Sequence, residues 1–379
     1  MVQYSNFSTD YKLSKGRIFE ENEDPNRTCF MRDRDRIIHS SAFRRLKYKT
    51  QVFVHHEEDY FRTRLSHSLE VSQLSRSISK VFNINDDLTE SISLSHDLGH
   101  TPFGHAGEEV LNNKMKGKGG FNHNYQALKI LTVLEKKYFD FDGLNLTYET
   151  LDGILKHNGP ITSVLPSYIQ SFIDYFDGKI NSQGSFEAQV AAICDDIAYN
   201  NNDIDDGLYA GLFEIDELNE LEIIKDAFEK INLNKSKEYR RIKHELIRKL
   251  INIMVDDLIS NTKQNIQNLK IKNCYEILEL DQPLVIFSDE MKNKEKNLKV
   301  FLKNKMYNHP KVKTMNFKAK KIVSDLFDLY IDEPYLLPGN WRNFKNENEK
   351  YINVSDYISG MTDNYAINIH KKYFDLYSH

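Results

Sequence analysis

The stretch Leu88-Thr89-Glu90-Ser91-Ile92-Ser93-Leu94-Ser95-His96-Asp97-Leu98-Gly99-His100-Thr101-Pro102-Phe103-Gly104-His105 changes character halfway along. Leu88, Ile92 and His96 recur at steps of four, the spacing of one helix face. Gly99, Pro102 and Gly104, with Gly107 just beyond, then break the pattern. Glycine lets a backbone approach its neighbours closely, and proline stops a helix. Upstream, Val71, Leu74, Ile78, Val81 and Phe82 carry the same period; downstream, Val190, Ile193, Cys194 and Ile197 repeat it. Glycine and proline number only 16 and 8 in 379 residues. No series of alternating strands with turn signals appears. The fold expected is mostly α.

Further helix is expected over about 232–273, which is lysine-rich, and over 318–330. Residues 292–313 are lysine-rich as well. The glycine-rich run 116–120 and residues 182–185 read as loops, and 334–348 as a polar loop around the single tryptophan, Trp341.

Hydrophobic residues make up 40% of the chain and aromatics 12%, which excludes disorder and supplies a sizeable core. The length exceeds the roughly 250–300 residues at which single cores stop growing, so one large core with an appended subdomain is expected. No run approaches the ~18 apolar residues of a membrane span. Residues 1–12 are polar and show no secretion signal. Cys29, Cys194 and Cys274 form no CxxC pair, so neither a zinc ribbon nor a disulfide framework is suggested. These features together predict a reduced, cytoplasmic protein with no membrane partner. A net charge of -5 argues against coating nucleic acid as the main task. Yet Arg27, Arg32, Arg34, Arg36, Arg44, Arg45, Lys47, Lys49, Arg62 and Arg64 crowd into one stretch. Such a cluster suits a small polyanion; the plain alternative is a solvated helix face paired with Asp33 and Asp35.

His96 and Asp97 are adjacent on a helix, about 100° apart, so they can grip one ion only if other ligands arrive from elsewhere. His67 lies four residues before Val71, on the buried face of its own helix, and Asp195 sits within a third apolar-patterned helix. Three helices facing one another would gather His67, His96, Asp97 and Asp195 around a divalent ion. Mn²⁺ and Mg²⁺ are favoured, with Fe²⁺ and Zn²⁺ also compatible with two imidazoles and two carboxylates. A lone His-Asp pair is common and ordinarily structural. The neighbouring residues decide here, because His96, His100 and His105 fall within ten positions. Histidine is the side chain most easily poised for proton transfer near neutrality. His123, after the glycine-rich loop, could join them or simply sit at the surface.

The run from Arg32 to Ser40, with Ala42 to Lys47 and Thr50 to Phe53, resembles the opening signature of the deoxyguanosine triphosphate triphosphohydrolase (dGTPase) family. Arg62 to Val71 resembles its first metal-histidine motif and His96 to Glu108 its second. Asp195 to Tyr199, continuing to Asp203 and Asp206, resembles its third, and Asp356 to Asp363 a C-terminal signature. Five motifs in order are specific where one would be weak. The resemblance implies an all-α fold, an HD-domain helical bundle with an appended helical C-terminal subdomain. Residues 1–60 would form an N-terminal arm and basic substrate-binding segment, and 61–210 the metal-dependent core. Residues 211–379 would close the site or mediate oligomer contacts.

The activity implied is cleavage of deoxynucleoside triphosphates to deoxynucleoside and inorganic triphosphate. Carried over residue by residue, His67, His96, Asp97 and Asp195 hold the metal. His100 and His105 contact the α-phosphate, and His105 and His123 serve proton transfer. Gln51 reads the sugar 3′-hydroxyl, Tyr199 and Asp203 meet the sugar, and Arg64 contacts phosphate. Arg45 is expected to help bind the substrate. The resemblance also implies a homo-oligomer, dimer to hexamer, and an allosteric deoxynucleotide. The sequence departs from the family pattern at Asn122, where many relatives carry an acid, and at Asn364, where many carry arginine. Two other readings stay open. One is an HD phosphohydrolase acting on monophosphates, cyclic nucleotides or alarmones. The other is a nucleotide-sensing or single-stranded nucleic-acid-binding module.

Overall fold

The computed structural model describes residues 4–53, 60–162, 165–232 and 238–376. Residues 233–237, at the start of the first lysine-rich segment, lie outside the described residues. Among the described residues the chain is helical, with isolated bridges such as Thr50–Thr63 and no strand. In chain order the first helices are α1 (Cys29–Ile38), α2 (Ser41–Arg45), α3 (Arg64–Phe82), α4 (Asp86–Ser95), α5 (His105–Lys114), α6 (His123–Lys129), α7 (Tyr148–Leu155), α8 (Ser167–Tyr175) and α9 (Phe186–Tyr209). They continue with α10 (Ile215–Leu218), α11 (Glu222–Glu229), α12 (Tyr239–Leu269), α13 (Cys274–Leu278), α14 (Asp289–Leu302), α15 (Pro310–Asp332), α16 (Glu347–Ser359) and α17 (Asp363–Phe374). The loops expected at 116–120 and 182–185 are loops, and 334–348 carries only two short 3₁₀ turns before α16.

Three helices, α3, α4 and α9, pack together and position the predicted ligands, His67 on α3, Asp195 on α9, and His96 and Asp97 directly after α4. Local signals place their ends. Thr63 caps α3 through the Ser66 backbone N–H, and the Ser66 side chain closes the reciprocal bond. Asn83 ends α3 in the left-handed conformation, at φ 53°. Asn85 then caps α4 and Ser185 caps α9. The α3–α4 seam is built from small polar residues. The hydroxyls of Ser75 and Ser93 meet at 2.7 Å, and Ser79 donates to Thr89 at 2.9 Å. Ser75 and Ser93 also return bonds to the carbonyls of Val71 and Thr89. Those bonds satisfy the buried hydroxyls and let two backbones approach closely. Around the seam, Val71, Ile78, Leu88, Ile92 and Leu94 are each at most 1% exposed. Burial of this kind stabilises by about 1.5–3 kcal/mol per side chain.

The N-terminal segment is part of this body. Asp33 on α1 is fully buried and accepts bonds from Arg17, from the Thr147 backbone and hydroxyl, and from the Thr150 hydroxyl. It therefore belongs to no solvated face. A further apolar cluster joins Phe103, Ala106, Leu111 and Met115 to Val323, Leu326, Phe327, Val354, Ile358 and Met361. It fastens α15, α16 and α17 onto α5, so the chain's end packs on the turn that follows α4. The lysines of α14 lie against acids of neighbouring helices: Lys294 on Asp226 at 2.7 Å and Lys299 on Asp196 at 2.9 Å. Cys29, Cys194 and Cys274 carry free thiols. Among the described residues no helix is long and apolar enough to cross a membrane.

Candidate active site

His96 follows the last turn of α4. Its Nδ1 lies 2.6 Å from the Ser93 carbonyl, which fixes the ring and directs Nε2 inward. His96 Nε2 and Asp97 Oδ2 are buried without a hydrogen-bond partner among the described residues. Asp97 Oδ1 accepts from Arg64 at 2.9 Å and lies 3.0 Å from His100 Nδ1. From α3, His67 Nε2 comes within 2.7 Å of Asp195 Oδ1 on α9. The donor atoms of His67, His96 and Asp97 all fall within 4.8 Å of one another, and so do those of His96, His157 and Asp195. Two orphaned, buried donor atoms among imidazoles and carboxylates fit a divalent cation. All four ligands expected from the sequence are brought together. The site meets solvent through the Asp195 side chain, 28% exposed.

Charge is arranged to match. Burial alone would raise the Asp97 carboxyl, but the Arg64 guanidinium and the His96 and His100 imidazoles outweigh it and hold the group well below its ordinary range. Asp195 behaves alike: burial is overridden by His96 and by bonds from His157 and His67. His100 is driven the other way. Burial, then Arg64 and His123, keep it well below the usual imidazole value, so it stays neutral.

The turn after Asp97 is tightly built. Phe103 and Gly104 have φ of 62° and 57°. A Cβ on Gly104 would stand 2.8 Å from the Arg64 guanidinium, so this position needs glycine for conformation and for space. The turn delivers His100 and His105 beside His123 at the start of α6. The His100 and His123 rings stack at 4.1 Å between centroids, and His105 lies edge-on to His100 at 5.4 Å. Glu108 holds the group. It accepts from the His123 backbone N–H at 3.0 Å and the His123 ring at 2.8 Å, and its other oxygen lies 3.2 Å from His105 Nδ1. His105 is 65% exposed and so open to an incoming molecule.

Tyr199 stands edge-on to His67 at 6.2 Å, one helical turn beyond Asp195. One turn further, buried Asp203 accepts a bond from Tyr307, which ends a π-helical turn after α14. Burial raises the Asp203 carboxyl well above its ordinary value despite that bond. Gln51 is buried with its Oε1 unpartnered among the described residues. Arg45 lies elsewhere. It lines a cavity of about 530 Å³ with Ser41, Glu135, Trp341, Asp356 and Tyr365, whose walls contain none of the metal or histidine set. Four other members of the basic stretch are also occupied elsewhere. Arg27 pairs with Asp24 and Asp35, Arg34 with Asp87, Arg36 with Glu21, and Arg62 with Asp205 and Asp206. Arg64 is the member of the stretch that pairs with a candidate metal ligand, Asp97.

Four residues at or beside the site escaped sequence reasoning. His157 bonds Asp195. It follows the apolar run Leu151, Ile154 and Leu155, which was its only signal. Glu108 stands three residues after His105, a helical neighbour that the spacing could have flagged. Lys49 is buried and donates to the carbonyls of His100 and Ser359. Burial, with Arg45 adding to it, lowers its ammonium to about 7. Tyr307 reaches Asp203 across 104 residues, with no local cue.

A helical bundle that gathers imidazoles and carboxylates in this way is the metal-dependent HD-type phosphohydrolase architecture. Residues 64–200 match the HD domain, and residues 285–372 match the phosphohydrolase-associated domain. A deoxyguanosinetriphosphate triphosphohydrolase-like protein of Parvibaculum lavamentivorans is 47% identical over 381 residues, covering 98% of this chain and 96% of that protein. Proteins of the same description from Roseobacter denitrificans and from a Caulobacter species are 45% and 46% identical, over 97% and 98% of this chain and 96% of each relative. The chain belongs to the family of deoxyguanosinetriphosphate triphosphohydrolase-like proteins.

Proposed function

We propose that this protein hydrolyses deoxynucleoside triphosphates to deoxynucleoside and inorganic triphosphate. The observation that carries the reading is one continuous series of groups. The metal-type cluster of His67, His96, Asp97 and Asp195 is flanked by the Glu108-held histidines on one side. On the other, along α9, stand Tyr199 and the Asp203–Tyr307 pair.

A divalent ion held by His67, His96, Asp97 and Asp195 would supply Lewis acidity at the α-phosphate and lower the pKa of a bound water. Arg64, buried beside Asp97, is placed to neutralise charge on the same phosphate. His123 bonds Glu108 through Nδ1, which leaves Nε2 to hold or move a proton. His105, with Glu108 at its own Nδ1, is the second candidate to protonate the departing 5′-oxygen. Neutral His100 contributes one ring N–H rather than a full charge. The Gln51 Oε1 is a free acceptor for a sugar hydroxyl, and Tyr199 offers a flat wall for the sugar. Asp203, whose carboxyl burial raises well above its ordinary value, acts with Tyr307 as a hydrogen-bonding pair toward the nucleoside. Attack at the α-phosphorus leaves the β–γ bond untouched, so triphosphate departs whole.

The test is product analysis on the four deoxynucleoside triphosphates, singly and mixed, with Mn²⁺ or Mg²⁺. Deoxynucleoside and triphosphate in equal amounts are expected. Monophosphate with pyrophosphate, or no turnover of any nucleotide, would overturn the reading.

A further inference from the structure

His157 lies outside the four-ligand set yet touches it twice. Its Nε2 is 3.2 Å from Asp195 Oδ2, and its ring stacks on His96 with centroids 5.0 Å apart and planes 20° apart. The side chain is only 7% exposed, and Nδ1 has no hydrogen-bond partner among the described residues. The two oxygens of Asp195 thus face different histidines. Oδ1 faces His67 at 2.7 Å and His96 at 3.6 Å, the side on which the other donor atoms converge. Oδ2 is turned away toward His157.

A carboxylate that accepts only on one oxygen can swing about its Cβ–Cγ bond. One that also accepts from a fixed N–H on the far oxygen cannot. His157 is fixed by its own packing, since its ring lies flat against a histidine whose Nδ1 is tied to the Ser93 carbonyl. Groups that orient a metal ligand from behind typically change metal affinity about 10–100-fold when removed. We propose that His157 is a positioning residue of the metal centre: its Nε2–H holds Asp195 Oδ2 so that Oδ1 is presented to the ion. The proposal rests on the metal-centre reading of the site and not on the choice of substrate.

The experiment measures Mn²⁺ affinity of the nucleotide-free protein by chelator competition, beside the melting temperature of the metal-stripped protein. His157→Ala should weaken Mn²⁺ binding about 10–100-fold while the metal-free melting temperature stays close to that of the parent. His157→Gln, whose amide can donate to the same oxygen, should recover most of the affinity. His157→Ala binding Mn²⁺ as tightly as the parent would overturn the proposal. So would both variants losing affinity in step with a fall in metal-free melting temperature, which marks a purely structural role. If His157→Ala does not fold, His157→Gln decides alone: near-parental affinity supports the proposal, and weak binding by a stable protein overturns it. Because no nucleotide takes part, a failed product assay leaves this result intact.

Discussion

Gly99 is the point at which the catalytic turn leans on α6, and adding one methyl group there should disable the site. A Cβ at this position would stand 1.9 Å from the His123 carbonyl oxygen, 2.3 Å from the Ala127 nitrogen and 3.0 Å from the Ala127 Cα. All three are backbone atoms, so no side chain can rotate away. Ordinary contact begins at 3.4 Å, so α6 must retreat by about 1.5 Å for Gly99→Ala to fit. His123 is the first residue of that helix, and its ring reaches Glu108 at 2.8 Å. The same retreat carries that contact beyond hydrogen-bonding distance. Overpacking of this kind costs about 1–3 kcal/mol, occasionally more. Misplacing a proton donor removes a contribution of about 10²–10⁴-fold. Of the candidate metal ligands, His67 lies on α3 and Asp195 on α9, and His96 and Asp97 precede the turn directly after α4, so the ion should be kept. The assay is turnover of deoxynucleoside triphosphate at saturating substrate, with metal content and melting temperature measured on the same sample. Turnover within about tenfold of the parent, at an unchanged melting temperature, would refute the argument that α6 is held at van der Waals limit by the turn.

Three further expectations follow from the same geometry. His123→Ala should cut turnover about 10²–10⁴-fold with metal content retained, whereas Asp97→Ala should lose metal and turnover together, as elemental analysis beside activity will show. Asp363→Ala strands the Thr50 and Phe103 backbone N–H groups, which it accepts at 2.8 and 2.9 Å. At about 1–3 kcal/mol for each buried orphan, denaturant titration should show a clear loss of stability. Glu108 titrates below its ordinary 4.5, because the bonds from His105 and His123 outweigh the effect of burial. Its stabilisation is therefore full above about pH 4.5 and is lost as pH falls through the folded-state value. Glu108→Gln should flatten the acid limb of a melting-temperature profile below that pH, and an unaltered limb would count against the pairing.

Periodicity was a sufficient guide to the elements that matter most. The apolar residues of α3, α4 and α9 repeat at helical spacing, and the ligands sit at fixed offsets from them, so His67, His96, Asp97 and Asp195 could be read as one cluster. The basic stretch was legible as charge but not as structure, because its partners are remote. Arg34 meets Asp87, 53 residues away, and Arg62 meets Asp206, 144 residues away. Asp33 is buried because Thr147 and Thr150 come to it from more than a hundred positions downstream. No local pattern announces that. His157 and Tyr307 were missed for the same reason: each is defined by a contact with α9 that only tertiary packing creates.

Asp363 ties the last helix to the turn of His100 and His105, through bonds that span 260 and 313 residues. Chains emerge from the ribosome amino end first, and domains tend to fold in that order. The segment bearing the four candidate ligands, residues 67–195, is therefore complete while the brace for the turn of His100 and His105 is still unsynthesised. A polypeptide cut short before α17 would carry all four candidate ligands, His67, His96, Asp97 and Asp195, but not the clamp that Asp363 places on Phe103 and Thr50.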